Sequence, residues 1–227
     1  VRLHHVAMVR NRPRTLGTWR VTTESPRTAD RIAQVLGGHI QQDPTADLAE
    51  ILTTSSTIDI LLTESTALYI GWQRDDKNTC DGMTRDDRQV CICPADHELR
   101  RAAAKQGRGC RPHAKVLFRL LDDQAVGVLE FVSDDWSFVE LISAAQAVLS
   151  SRDGRGPIRA QLGLRRSLHT LPSGMVLPYT CPVITLLGAA ALLTLAVLAG
   201  CAAPPAAPGK RALMIVGNDE KQSWNDA

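Results

Sequence analysis

The chain has 227 residues, of which 22% are charged and 4% aromatic, and its net charge is +2. This length can bury a sizeable core without disulfides, as in an ordinary globular protein. The net charge is too small to indicate a broad basic surface for nucleic acid, so any contact with DNA must be local or made through a partner. The first thirty residues show no secretory signal pattern. We therefore expect the reducing cytoplasm, where clustered cysteines are read first as metal ligands.

The N-terminal part of the chain contains a predicted arm, a strand and a helix. Residues 1–16 are basic and lack a clean hydrophobic period, so we interpret them as an arm. The alternating, β-rich run at 17–26 predicts a strand. The next segment has helix signals at both ends, with Ser25 as N-cap, Pro26 in the first position and a glycine pair beginning at Gly37.

The middle of the chain alternates between strand and helix patterns. Residues 57–72 predict two short strands around a polar turn, and 94–107 predict a short helix. Two strands joined by a short turn are predicted within 113–133, followed by an amphipathic helix at 134–151. A second strand pair is predicted within 158–186, around a Pro-Ser-Gly turn.

These elements predict an α+β domain at 17–182, with a mixed, mainly antiparallel sheet and a few helices. A cysteine-rich zinc module at 79–112 is inserted between sheet segments. Residues 183–203 carry no charge over the length of a bilayer-spanning helix, and we expect an apolar helix there. That helix is buried against the sheet, spans a membrane, or is an artefact of the gene model. Residues 204–227 form a predicted linker and polar tail.

The cysteine spacing is the most informative chemical pattern in the sequence. A structural zinc ion takes four soft ligands in a tetrahedron, and the Cys-x-Cys pair places two sulfurs on the same side of an extended segment. The surrounding sequence is too polar to build a core, so metal binding would supply its folding energy. Free buried thiols, or a disulfide in an exported protein, remain the alternatives. The predicted zinc ligands are Cys80, Cys91, Cys93 and Cys110, with Asp81, Asp96, His97 and His113 as spare candidates.

The sequence contains none of the common catalytic signatures. It has no dinucleotide-binding glycine pattern after a strand, no phosphate-binding loop, no HExxH and no GxSxG. Neighbouring acidic residues such as Asp86 and Asp87 are typical of solvated turns. We therefore predict a binding or regulatory protein with no catalytic residues and no small-molecule substrate.

The order of cysteines and prolines resembles a known family. A Cys-Asp-Gly is followed by Cys-x-Cys-Pro, a helix, Cys-x-Pro, a strand pair and a further helix. This order is similar to that of the recombination directionality factor-like family of actinobacterial phages and prophages, and the resemblance covers roughly residues 10–185. The run that carries it comprises Cys80, Cys91, Cys93, Pro94, Cys110 and Pro112.

The resemblance implies a non-enzymatic partner of a phage-type serine integrase. Members of the family bind the integrase on DNA and switch it from insertion to excision, so that the attL and attR sites become competent. The partners implied are the integrase and, indirectly through it, DNA. We expect the integrase to contact an apolar sheet edge near Trp136 and Phe138.

Two other functions fit parts of the sequence. The apolar segment 183–203 would anchor a membrane-associated or lipid-modified protein, with Cys201 as a candidate acylation site. The arginines of the arm and of residues 152–166 would suit a DNA-binding protein, whose affinity must weaken with salt.

Overall fold

The computed structural model describes residues 1–9, 12–42, 48–62, 67–75, 78–84, 90–151, 156–170 and 173–187. Within these ranges the chain is α+β, as the sequence predicts. The helices are α1 (Pro26–Leu36), α2 (His97–Lys105) and α3 (Trp136–Ser150). The strands are β1 (Arg2–Val9), β2 (Arg12–Thr23), β3 (His39–Gln42), β4 (Ala49–Leu52), β5 (Thr57–Leu62), β6 (Leu68–Asp75), β7 (Asn78–Cys80), β8 (Arg111–Leu120), β9 (Leu129–Ser133), β10 (Ile158–Thr170) and β11 (Val176–Leu186).

The strands form a mixed sheet in the order β11-β10-β5-β8-β9-β1-β2-β4-β3, and β6 joins β8 to β7 beside this path. Described neighbours are antiparallel except for β1 and β9, which run parallel. The chain leaves β4 beside β2 and enters β5 beside β8 and β10. In this link, Ser55 O accepts from Trp19 N and Ser56 O accepts from Leu164 N. This link therefore contacts both β2 and β10, which are not neighbours in the sheet order.

The core is formed by buried side chains of the strands and of α1 and α3. Trp19, Phe131 and Phe138 are almost fully buried. Phe131 packs edge-to-face against each of the other two rings, with centroid distances of 5.2 and 5.4 Å. This arrangement of aromatic rings is favourable beyond the area it buries. Phe138 thereby attaches α3 to β9, and Phe131 connects this contact to Trp19 on β2.

The predicted helices are confirmed, with polar caps at the predicted ends. Ser25 Oγ accepts from Thr28 N at the start of α1. Asp135 Oδ1 accepts from the main-chain nitrogens of Ser137 and Phe138 at the start of α3. These side chains satisfy amide groups that have no partner within a helix, which is why Ser and Asp mark helix starts.

The predicted N-terminal arm is wrong. Arg2–Val9 form β1 and lie between β2 and β9, near the middle of the sheet. Leu3 is buried, whereas Arg2 on the opposite face is exposed. Side chains alternate between the two faces of a strand, so exposed cations can occupy one face of a central strand. The apolar residues of β1 do not alternate with polar ones, so they form no period-two pattern that would identify the strand.

The predicted apolar tail begins within a strand. Residues 183–186 belong to β11, which pairs along its length with β10. The rest of the predicted helix, 188–203, and the predicted tail, 204–227, lie outside the described residues. No helix in the described part of the chain is both long and apolar enough to cross a membrane.

His5 on β1 makes stability depend on pH. Burial lowers its pKa to about 4, and this outweighs the opposing effect of Asp135. In the unfolded chain the His5 ring becomes protonated as the pH falls below about 6.5, whereas in the folded chain it stays neutral until about pH 4. The contribution of His5 to stability is therefore complete above about pH 6.5 and decreases as the pH falls toward about 4. We expect acidification from pH 7.5 to 5 to cost about 2 kcal/mol through His5. The His5 ring packs edge-to-face on Phe131. In denaturant titrations at the two pH values, His5→Phe should remove this pH-dependent part of the free energy of unfolding. An unchanged pH dependence in the variant would contradict this assignment.

Candidate metal centre

Three cysteines from separate segments meet at one end of the sheet. Cys80 ends β7, Cys91 lies in the loop that follows, and Cys110 immediately precedes β8. Their sulfurs are 3.5 Å apart for Cys80 and Cys91, 4.0 Å for Cys80 and Cys110, and 3.9 Å for Cys91 and Cys110. All three side chains are buried, and all their ligand atoms lie within 4.8 Å of one another. The three cysteines form a compact triangle of soft donors.

The fourth predicted ligand, Cys93, adjoins this triangle and is partly exposed. Its sulfur accepts a hydrogen bond of 3.1 Å from Cys110 N. It is also within hydrogen-bonding reach of the thiols of Cys91 and Cys110. The structure therefore places Cys93 beside the cluster, while Cys80, Cys91 and Cys110 form its compact part.

The geometry of the triangle fits a zinc ion. A zinc–sulfur bond of about 2.3 Å in a tetrahedral site separates neighbouring sulfurs by about 3.8 Å. The three observed distances, 3.5 to 4.0 Å, bracket this value. Thiolates are also the ligands that structural zinc sites use most. The arrangement can therefore hold a divalent metal.

Main-chain amide groups point at two of the sulfurs. The N–H of Gly82 donates to the sulfur of Cys80, and the N–H of Cys93 donates to the sulfur of Cys91. Each amide lies two residues after the cysteine whose sulfur accepts its hydrogen bond. Such bonds favour the negatively charged sulfur, which is the form that binds metal.

The surroundings shift the pKa values of the three cysteine thiols in different directions. Burial is the main cause that raises the pKa of both Cys80 and Cys110. Burial opposes ionisation of Cys91 as well, but hydrogen bonds from Cys93 N and from neighbouring thiols lower its pKa overall. Without a cation, the cluster therefore favours one thiolate at Cys91 and disfavours further negative charge beside it.

A tight turn carries Cys80 toward Cys91. Asp81 Oδ1 accepts from Met83 N and Thr84 N, at 2.8 and 2.7 Å. Met83 O then accepts from Cys91 N at 2.7 Å. Gly82 has a φ of +105°, a conformation that side chains with a Cβ rarely adopt. The turn therefore depends on the Asp-Gly sequence directly after Cys80.

Helix α2 closes the module around Arg100, which sequence reasoning missed. This side chain is 3% exposed, with Nε donating to Pro94 O at 2.7 Å and an Nη donating to Gly82 O at 3.0 Å. Its guanidinium also lies 4.2 Å from the centre of the Trp72 ring. Arg100 thus joins the two cysteine loops to β6, because arginine can donate in several directions from one plane.

The end of α2 also packs closely against Gly109, the residue before Cys110. A Cβ added to Gly109 would lie 2.8 Å from Ala104 N and 2.9 Å from the Cβ of Ala103. The chain can therefore pass this near to α2 only because residue 109 has no side chain. This close passage brings Cys110 under the helix and into the cluster.

The spare ligand candidates have other contacts. Asp96 caps α2 by accepting from Leu99 N, and Asp81 holds the turn described above. The His97 ring packs edge-to-face against Trp72 and Trp136, at 5.3 and 5.5 Å. His113 lines a small cavity of about 160 Å³ on the sheet face, together with Arg2, Leu3, His4, Lys115, Glu130 and Val132.

The expected partner surface near Trp136 and Phe138 is wrong for Phe138. That ring has no exposed surface and packs on Phe131 in the core. Trp136 is partly exposed and attaches α3 to the cysteine module through Trp72 and His97. Both aromatic side chains therefore serve the packing of the fold.

Most of the chain matches a known protein family. The Gp3-like family model, described as Recombination directionality factor-like, matches residues 3–186. This match begins within β1, ends with β11 and includes the cysteine module. No solved structure matches the chain.

Proposed function

The chain belongs to the recombination directionality factor-like family, and on this premise we propose that it binds a serine integrase on DNA and favours excision. The family match over residues 3–186 is the observation that carries the proposal. The family is one of regulatory recombination factors, so the chemistry of strand exchange is assigned to the integrase. In this proposal the protein acts in the cytoplasm and contacts DNA indirectly, through the integrase.

Such a regulator acts by binding one arrangement of its partner more tightly than another. A binding protein shifts a conformational equilibrium only by its difference in affinity for the two states. A change from about 1:99 to 99:1 requires a preference of about 10⁴-fold. In our proposal, the chain supplies this preference through a noncovalent interface with the integrase when attL and attR are bound.

We further propose that Cys80, Cys91, Cys93 and Cys110 hold a structural zinc ion. The distances among three of the sulfurs and the amide bonds to two of them support this assignment. Zinc would stabilise the thiolates by offsetting part of their charge and would hold the described segments around the cysteines together, and four protein ligands would leave no open position for catalysis. Metal binding would then contribute directly to folding.

A recombination assay tests the proposed function. The cognate serine integrase is incubated with plasmids carrying attL and attR, with and without the purified protein. We expect excision only when the protein is present, together with reduced recombination between the insertion sites. An integrase from an unrelated phage serves as the control and should not respond. If the cognate integrase ignores the protein in both reactions, the proposed function is wrong.

A further inference from the structure

Cys93 differs from the other three proposed zinc ligands in its access to solvent. Cys80, Cys91 and Cys110 are 2%, 9% and 2% exposed, whereas Cys93 is only partly buried where it packs against the core. A small oxidant dissolved in water therefore meets the sulfur of Cys93 before the other three. We infer that Cys93 is a site of oxidation by hydroperoxides and that this oxidation releases the metal. The inference rests on the proposed zinc site and extends the proposed function to its control by redox state.

Cys110 is placed to react with the oxidised Cys93. Its main-chain nitrogen donates to the Cys93 sulfur at 3.1 Å, and its thiol is within hydrogen-bonding reach of the same sulfur. Cys91 is also within reach, but only Ile92 separates it from Cys93, and a bridge between them would depart from the usual geometry of a disulfide. Cys110 approaches from a separate segment, beyond α2. We therefore assign Cys110 as the thiol that forms the disulfide with Cys93.

The oxidation proceeds in two steps. The Cys93 thiolate attacks one oxygen of the hydroperoxide, the O–O bond breaks, and hydroxide or alkoxide leaves, so that the sulfur becomes a sulfenic acid. The Cys110 thiolate then attacks the Cys93 sulfur and expels hydroxide, which forms the disulfide. The two departing anions each take a proton from water. The two thiolates together lose two electrons, and the hydroperoxide is reduced by them.

The disulfide removes two of the four ligands from the metal. Cys80 and Cys91 remain, with sulfurs 3.5 Å apart, and two thiolates do not complete the tetrahedral set that structural zinc sites use. Zinc is then lost, and with it the free energy that metal binding contributes to folding. Thiol reductants reverse a disulfide, so a reductant and zinc together restore the site. The proposed switch toward excision therefore operates only in a reducing environment.

The test follows zinc release and cysteine oxidation in the same sample. Zinc-loaded protein is treated with a limiting amount of hydrogen peroxide, and released zinc is measured with a chromophoric chelator. Mass spectrometry of the alkylated peptides identifies the cysteines that are oxidised. Cys93→His keeps a zinc ligand but has no thiol, because zinc sites also accept histidine. Met83→Leu is the control, since the thioether of Met83 is 73% exposed and is a second target of peroxide in the module.

We expect the first disulfide to join Cys93 and Cys110 and to form at the rate at which zinc is released. Cys93→His should release zinc at least about tenfold more slowly, because the accessible nucleophilic sulfur is gone. Met83→Leu should release zinc as the unaltered chain does. Equal release from Cys93→His, or a first disulfide that lacks Cys93, overturns the inference. Should Cys93→His fail to load zinc, the disulfide mapped in the unaltered chain decides.

Integrase binding by the same samples separates this inference from the proposed function. We expect the oxidised chain to bind purified integrase at least about tenfold more weakly than the reduced, zinc-loaded chain, and a thiol reductant with added zinc to restore binding. Equal binding of the two forms overturns the redox control while the proposed function stands. If the reduced chain does not bind the integrase, the proposed function fails, whereas oxidation at Cys93 is decided by the disulfide map and the zinc release.

Discussion

Replacing Cys110 with serine is expected to remove zinc from the protein and to lower the free energy of unfolding by at least about 3 kcal/mol. Cys110 contacts the sulfurs of both Cys80 and Cys91 and is 2% exposed. A serine hydroxyl is a poor zinc ligand and would be buried among thiols. Metal content by mass spectrometry of the native protein and denaturant unfolding measure the two effects.

The chelated protein is the control that separates the metal from the packing. If bound zinc is the source of this stability, Cys110→Ser should lower the free energy of unfolding by less than about 1 kcal/mol when both proteins are stripped of metal. Removal of the metal and removal of one of its ligands disrupt the same site, so their effects do not add. Thr84→Ala, in the same loop, should keep its zinc. Cys93→Ser should lose it, since our proposal makes Cys93 the fourth ligand. An unaltered chain purified without zinc, with the same unfolding energy before and after chelation, would contradict the metal site.

Replacing Arg100 with methionine is expected to lower the free energy of unfolding by about 2–4 kcal/mol. The substitution leaves Pro94 O and Gly82 O without their donors and removes the cation above Trp72. Both carbonyls belong to the segments that carry the cysteines. We therefore also expect zinc to be transferred faster to a chromophoric chelator. A destabilising substitution far from the cysteine module would not produce this effect.

Two further arginine variants make this prediction specific. Arg100→Lys keeps a charge near Trp72 but cannot donate in the same fork, so its unfolding energy should lie between those of the unaltered chain and Arg100→Met. Arg108→Met removes an exposed guanidinium beyond the end of α2 and should change stability by less than about 0.5 kcal/mol. If Arg100→Met unfolds at the same denaturant concentration as Arg108→Met, the bridging role of Arg100 is wrong.

The sequence was most informative where a residue has one local role. Ser25 and Pro26 marked the start of α1 because they cap or begin a helix within a few residues. The strand pairs β8–β9 and β10–β11 followed from apolar runs on either side of polar turns. The cysteines also lie within one short stretch of sequence, residues 80–110, so their proximity could be expected from their spacing.

The features that the sequence did not reveal depend on contacts between distant segments. β3 and β4 have four residues each, too few for a local period to identify them; they pair with one another, and β4 also pairs with β2. In the sequence, Arg100 and Arg101 are adjacent on a short helix and cannot be told apart. Which of them is buried depends on the folded loops that contact Arg100. β1 pairs with the adjacent β2, but its place inside the sheet also requires β9, more than a hundred residues away.

The parallel pairing of β1 with β9 has a consequence for synthesis of the protein. Leu3 lies opposite Phe131, so one edge of β1 lacks its partner until residue 131 has left the ribosome. At about 5–20 residues per second, this interval lasts roughly 6–25 s. During that time β1 can pair with β2 alone, and its other edge can bind any available strand. A nascent chain that pauses before β9 therefore exposes its aggregation-prone edge at the N-terminus, far from the point of arrest.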